Sequence, residues 1–159
     1  MGSPAAPTYS LAAETTDDAA ASHPWPSTPA ASRVMRGNRR TDTGPELRLR
    51  SELHRRGLRF RKDFLVRAGE TKVRPDIVFP RRRLAVFVDG CFWHSCPDHG
   101  TRPRANASYW SAKLARNTER DRTVNIGLST EGWLVLRIWE HTPVPEAADR
   151  VATALGEAT

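Results

Sequence analysis

Cys91-x4-Cys96-x2-His99 gathers two thiols and an imidazole within nine residues of the chain, and no other cysteine is present. Soft and borderline ligands crowded in this way suit a tetrahedral zinc site, which needs a fourth donor. His141, just beyond the apolar segment Trp133–Trp139, is the candidate. The bland reading makes Cys91 a small buried hydrophobe and His99 a solvated turn residue; the compact spacing favours zinc. A second constellation is made of carboxylates. Arg74-Pro75-Asp76 opens one strand-like segment, and Asp89 closes the next, 13 residues later. Two carboxylates at the same end of neighbouring strands form a hard, oxygen-rich site of the kind Mg²⁺ prefers. Such an ion neutralises phosphate and acidifies a bound water. Pro-Asp also marks ordinary turns, so the pair draws its weight from the strands and the basic surroundings.

His94 stands between these sets. An imidazole beside a metallated phosphate serves as general base or acid. Its other reading, a zinc ligand, asks one short loop for four donors and is sterically demanding. Phe92, Trp93 and Trp110 are either core aromatics or a wedge that opens a base step. Glu46 is by default the partner in a helix cap, and alternatively a further acid near the metal.

Several elements must position these groups. Thr43-Gly44-Pro45-Glu46 has the form of a capping box with proline in the first turn. It predicts a helix through Leu49 and Leu53 that stops at Arg55-Arg56-Gly57. Strands are expected at Leu58–Phe64, Arg74–Phe79, Leu84–Val88 and Trp133–Trp139, with Leu84–Val88 central because it is apolar throughout. A long helix is expected around Tyr109–Thr130 and a short one at Pro145–Leu155. The fold class is therefore α/β: a small mixed sheet flanked by helices. Residues 1–31, rich in Ala, Pro, Ser and Thr, are expected to form a disordered tail, and residues 32–159 one domain.

Composition narrows the partner. The 25 Lys and Arg against 18 Asp and Glu give a net charge of +7 over 159 residues. Between Arg33 and Arg83 there are 17 basic residues and 6 acidic ones, mostly arginine among the former. That surplus implies a polyanion, nucleic acid before membrane. No run reaches the length of a membrane helix, and the N-terminus lacks a signal peptide's basic start and apolar core. Two cysteines beside histidines argue for a reducing compartment, so the expectation is a cytoplasmic protein.

In these same residues the chain resembles the very-short-patch-repair (Vsr) mismatch endonucleases. The shared motifs are Met35-Arg36-x-Asn38, Thr41-Asp42-Thr43-x-x-Glu46, Arg74-Pro75-Asp76, Gly90-Cys91-Phe92-Trp93-His94, Tyr109-Trp110-x-x-Lys113, Asn117-x-Glu119-Arg120-Asp121 and Gly132-Trp133-x-Val135-Leu136-x-x-Trp139-Glu140. They keep one order from about Ser32 to His141. The resemblance implies a PD-(D/E)xK restriction-endonuclease-like core, a structural zinc, and Mg²⁺-dependent nicking on the 5′ side of a thymine mispaired with guanine, the product of 5-methylcytosine deamination. It implies that Asp76 is the main Mg²⁺ ligand, His94 the residue assisting water attack and Glu46 an acidic partner. Phe92, Trp93 and Trp110 would enter beside the mismatch, Met35 from the minor-groove side, and Lys113 and Asn117 would face the opened pair. A prokaryotic, nucleoid-associated monomer acting on T:G duplexes is implied, with functional links to a cytosine-5 methyltransferase and mismatch-repair proteins. The family's best-known member has Thr-His where this chain has Val88-Asp89, and one His with three Cys at zinc. The Val88 carbonyl can replace the Thr carbonyl at the metal; Asp89 cannot replace an imidazole, but is what a general PD-(D/E)xK site places there as a second metal carboxylate. Two other readings remain: a restriction-like nuclease without mismatch dependence, and a zinc-stabilised DNA-binding module that has lost catalysis.

Overall fold

A computed structural model describes residues 41–100 and 107–156. The 1–31 tail and Met35 lie outside the described residues. The first helix, α1, spans Gly44–Arg55. Its start is the expected cap in altered form: the Thr43 hydroxyl donates to Glu46 Oε1 (2.8 Å), while Glu46 Oε2 accepts the backbone N–H of Asp42 (2.9 Å) rather than that of Thr43. Gly57, at φ +78°, ends the helix in the left-handed conformation, and Leu58 N–H returns to the Leu53 carbonyl at 3.0 Å.

Leu58–Phe64 does not form the expected strand. It touches the sheet through a single bridge, in which Arg61 and Val78 exchange backbone hydrogen bonds of 2.8 and 2.9 Å. Asp63, at φ +53°, breaks the extended run. Pairing resumes later in a hairpin absent from the sequence reading: β1 (Val66–Ala68) antiparallel to β2 (Thr71–Val73).

The main sheet has the order β3-β4-β5, from Ile77–Phe79, Leu84–Asp89 and Leu134–Trp139. β3 and β4 are antiparallel; β4 and β5 are parallel, joined through the helix α2 (Ala107–Thr130). The sheet is thus mixed, as expected, with its apolar strand in the centre. Helix α3 (Val144–Ala154) closes the chain.

Strand parity decides what each face carries. Leu84 and Val86 of β4 join Ile77, Phe79 and Ile138 against α1 and α3, where Leu49, Leu53, Ala148 and Val151 fill the core. Ala85 and Phe87 face the other way and meet Val78, Leu128 and the hairpin's Val66 and Ala68. Continuing that alternation, Asp89 falls on the α2 side, as does Arg137, which stands opposite Phe87 in the β4–β5 register.

The hairpin is locked to α2 at one point. A Cβ on Gly127 would lie 1.9 Å from Thr71 Oγ1 and 3.0 Å from Thr71 Cβ. In an open helix, Gly→Ala stabilises by roughly 0.5–1 kcal/mol. Here overpacking of roughly 1–3 kcal/mol outweighs that gain, so Gly127→Ala should lower the melting temperature. A raised one would refute the close approach.

Candidate active site and metal centre

Residues Gly90–Gly100 coil tightly at the end of β4. His94 N–H bonds the Gly90 carbonyl (3.1 Å), Cys96 N–H that of Cys91 (2.9 Å), and Gly100 N–H that of Cys96 (2.8 Å). Gly100 is required there, because a Cβ would come within 2.4 Å of the Cys96 carbonyl oxygen. The coil turns Cys91, Cys96 and His99 towards one point, and His141, just past β5, completes the group. One donor atom from each lies within 4.8 Å of all the others. Cys91 Sγ is 3.0 Å from His141 Nδ1; Cys96 Sγ is 3.9 Å from the same nitrogen and 4.0 Å from His99 Nδ1. Ligands of a tetrahedral zinc stand about 3.3–3.8 Å apart, so the donor set fits that ion. Burial first, then the neighbouring Cys96 and Glu140, pushes the Cys91 thiol up to about 11, so a cation is needed to hold it as thiolate. Glu140 Oε1 accepts the Cys91 N–H at 2.7 Å and fixes the start of the coil.

The fourth member of this cluster is His141; His94 lies outside it and pairs with carboxylates instead. His94 Nδ1 lies 2.5 Å from Asp121 Oδ2, on α2, and 3.7 Å from Asp89 Oδ1. Arg137 ties the two acids together. Its Nη1 reaches Asp89 Oδ1 and Oδ2 at 2.8 and 2.9 Å, and its Nη2 reaches Asp121 Oδ1 at 3.2 Å. Its Nε donates to Asn125 Oδ1 at 3.0 Å, and the guanidinium lies 4.8 Å from the centre of the Phe87 ring. Asp89 is 5% exposed and already has a cation. Its expected service as a metal carboxylate therefore meets a competing partner.

Asp76 sits just before β3, and its Oδ2 accepts the Val88 N–H at 2.7 Å. Burial raises its pKa to about 6; the Val88 bond opposes this, the charges of Glu46 and Asp89 add to it, and Arg50 opposes it. A carboxyl in that state gains from a bound cation, so Asp76 fits a hard metal ion. Glu46 bonds Thr43 at the helix start, pairs with Arg50 at 2.9 Å, and its charge is felt at Asp76.

Phe92, Trp93 and Trp110 pack on one another and belong to neither core cluster of the described residues. Ring centres lie 5.0 Å apart for Phe92–Trp93, 5.3 Å for Phe92–Trp110 and 6.0 Å for Trp93–Trp110. Lys113 Nζ lies within 5.4–5.7 Å of the Trp93, Trp110 and Tyr109 rings. Asn117 donates to the Trp93 carbonyl at 3.2 Å. All five expected contact residues that are described, Phe92, Trp93, Trp110, Lys113 and Asn117, therefore meet at the N-terminal half of α2.

Arg137 was not named from the sequence, and Asp121 and Glu140 stood there only as members of shared motifs, without a role. Asp121 had a usable signal, standing one helical turn beyond Asn117 on the same face. Arg137 had a stronger one, a lone charge inside an apolar strand, which must find a buried partner.

Fold and site together define a small α/β protein carrying a carboxylate–imidazole cluster next to a thiol–imidazole one. Residues 27–98 match the family model described as DNA mismatch endonuclease Vsr. The type II nicking enzyme V.NaeI of Lentzea aerocolonigenes is 54% identical over 138 residues, 86% of this chain and 83% of that protein. V.XorIIP of Xanthomonas oryzae pv. oryzae, also named a type II nicking enzyme, is 41% identical over 111 residues, 67% of this chain and 76% of its own. The DNA mismatch endonuclease Vsr of Escherichia coli K12 is 37% identical over 110 residues, 69% of this chain and 68% of its own. The chain belongs to the Vsr family of DNA endonucleases. Among the described residues, no helix is long and apolar enough to cross a membrane.

Proposed function

We propose that the protein nicks duplex DNA on the 5′ side of a thymine mispaired with guanine, on a PD-(D/E)xK-like core, with Mg²⁺ at Asp76 and zinc at Cys91, Cys96, His99 and His141. The observation that carries this reading is His94, fixed to Asp121 on one loop with Phe92 and Trp93. A proton-transfer group and a candidate base-step wedge thus share a segment of a strongly basic chain.

Magnesium, when bound, supplies charge neutralisation at the scissile phosphate and lowers the pKa of water. Asp76 holds it, with the Val88 carbonyl as a further donor; Glu46 and Asp89 add negative charge nearby. Asp121 accepts the Nδ1–H of His94, so the lone pair sits on Nε2 and takes the proton from the attacking water. Arg137 keeps Asp121 and Asp89 in place. Phe92, Trp93 and Trp110 enter beside the weak pair, where unstacking is least costly, with Lys113 and Asn117 facing the opened bases and Met35 approaching from the minor groove. Incubation with duplexes differing only in T:G versus C:G, with and without Mg²⁺, tests the reading. Nicks confined to T:G with Mg²⁺ are expected. Equal nicking of both points to a restriction-like nuclease, and binding without nicks to an inactive module.

Two expected results follow. Trp93→Ala should reduce the T:G to C:G nicking ratio by roughly tenfold or more, in line with ~1–3 kcal/mol of stacking lost. Its unfolding free energy should fall by less than the roughly 3–5 kcal/mol that loss of a buried core Trp costs. An intact ratio in a folded variant would remove the wedge. Cys96→Ser should lower zinc content and thermal stability together, because ligand and fold energies are shared at structural zinc. Wild-type protein free of zinc by elemental analysis would refute that site.

A further inference from the structure

We propose that the β1–β2 hairpin is a phosphate clamp, with Arg67 and Lys72 as the cations that grip the DNA backbone beside the cleavage site. This rests on the DNA-nicking reading above and extends it to a surface outside both clusters. Arg67 and Lys72 are directly opposite one another in the antiparallel register, and both are exposed. The alternate residues Val66 and Ala68 are 1% and 4% exposed and pack with Leu128 of α2. The hairpin therefore buries one face and presents a pair of like charges on the other.

That arrangement is costly to the hairpin itself. Like charges directly opposed across strands are destabilising, and strands of three residues have little pairing energy to spare. Among the described residues neither side chain has an ion-pair or hydrogen-bond partner. Some surface arginines do: Arg55 and Arg56 bond Glu52, Arg56 also Asp149, and Arg150 bonds Glu146; what sets this pair apart is that its two cations stand directly opposite one another. Glu131 lies against the hairpin's turn at Gly69, but among the described residues it bonds neither cation, which leaves the opposed pair open to an external anion. A regular polyanion supplies two charges at once, as a phosphodiester backbone does.

The mounting favours the same partner. The Gly127–Thr71 contact fixes the hairpin to the helix that carries Asp121, Asn117 and Lys113. Lys72 is four residues before Asp76, so their Cα atoms are at most about 14 Å apart. A DNA strand carries one charge per about 3.4 Å of axis, so the phosphates within reach are the first few next to the one cleaved. Phosphate contacts carry no base identity; the clamp sets affinity and register, and the aromatic residues set preference.

The test is binding of a T:G duplex by fluorescence anisotropy from about 50 to about 400 mM salt, for the wild type, R67Q/K72Q and R67T/K72T. Threonine favours strands, so the second variant guards against loss of the hairpin. Both variants should bind more weakly at every salt, with a log–log salt slope shallower by about 1–2 than wild type. Their T:G to C:G ratio should be unchanged and their melting temperature equal or higher. Single methylphosphonate replacements near the nick should weaken the wild type at one or two positions and leave the variants indifferent there. An unchanged slope in folded variants makes the pair a solvated face and overturns the clamp. So does a ratio that falls with affinity, which would mean base contact, or unfolding of both variants, which would make the pair structural. A wild type that neither binds nor nicks duplex DNA would instead defeat the functional reading, and the wild-type arm shows that separately.

Discussion

Asp76→Ala should lower the single-turnover nicking rate by about 10³-fold or more while affinity for the T:G duplex stays within about threefold of wild type. The loss corresponds to about 4 kcal/mol of barrier, within the several kcal/mol that a metal ion contributes at a reacting phosphate. Affinity is spared because removing a carboxylate beside DNA does not remove a cation–phosphate or aromatic contact. Wild-type turnover in this variant would end the assignment. The same residue predicts an unusual pH dependence. Its folded pKa is raised to about 6, by burial first, against an ordinary value of 3.8. A raised value means that its stabilising contribution is complete below about pH 4 and is lost as pH rises through about 6. That loss is about 2–3 kcal/mol in metal-free protein. Asp76→Asn removes the titration, so the stability gap between variant and wild type should widen from pH 4 to pH 7 without Mg²⁺. Mg²⁺ should narrow it, and nicking should fall below about pH 6 as protons displace the metal. A gap independent of pH would contradict the buried carboxyl.

What the sequence made legible was local. Cys91, Cys96 and His99 declare themselves by spacing, and His141 by its place after an apolar strand. α1 was legible because Glu46, Pro45 and Gly57 each act on backbone within a few residues, and Thr43 meets Glu46 within one turn. The central strand Leu84–Asp89 showed because burial on both faces leaves a continuous apolar run. The hairpin did not show: Val66–Ala68 and Thr71–Val73 each bury too few residues to rise above a loop's pattern. Leu58–Phe64 looked extended because its apolar residues alternate, but a left-handed Asp63 ends pairing after one bridge. Arg137 was hidden for a different reason. Its meaning depends on Asp89 and Asp121, 48 and 16 positions away in the chain, and no periodicity encodes a pairing brought about by a parallel strand and its crossover helix.

His94→Gln and Asp121→Asn should each reduce nicking by roughly 10²–10⁴-fold, and the double variant should be little worse than the more damaged single one. In the proposed reaction the two residues act as one device: with the Asp121 carboxylate as acceptor for the Nδ1–H of His94, Nε2 is left free to receive a proton. Asparagine can present an N–H in place of the acceptor, so it admits the wrong tautomer and leaves the ring's shape unchanged. DNA affinity and zinc content should therefore survive Asp121→Asn. Arg137 extends the device without touching substrate. Arg137→Met would leave Asp89, 5% exposed, as a buried charge without its cation. Breaking such a pair costs about 3–5 kcal/mol, so this variant should lose stability as well as rate. Asp89→Asn combined with Arg137→Met should recover part of the stability, because position 89 no longer carries a buried charge, while Asp121 still lacks its guanidinium partner. If that double variant also recovered the full nicking rate, the pair would be scaffolding alone. Persistent loss of rate at restored stability would place Arg137 in the alignment of Asp121, and through it of His94.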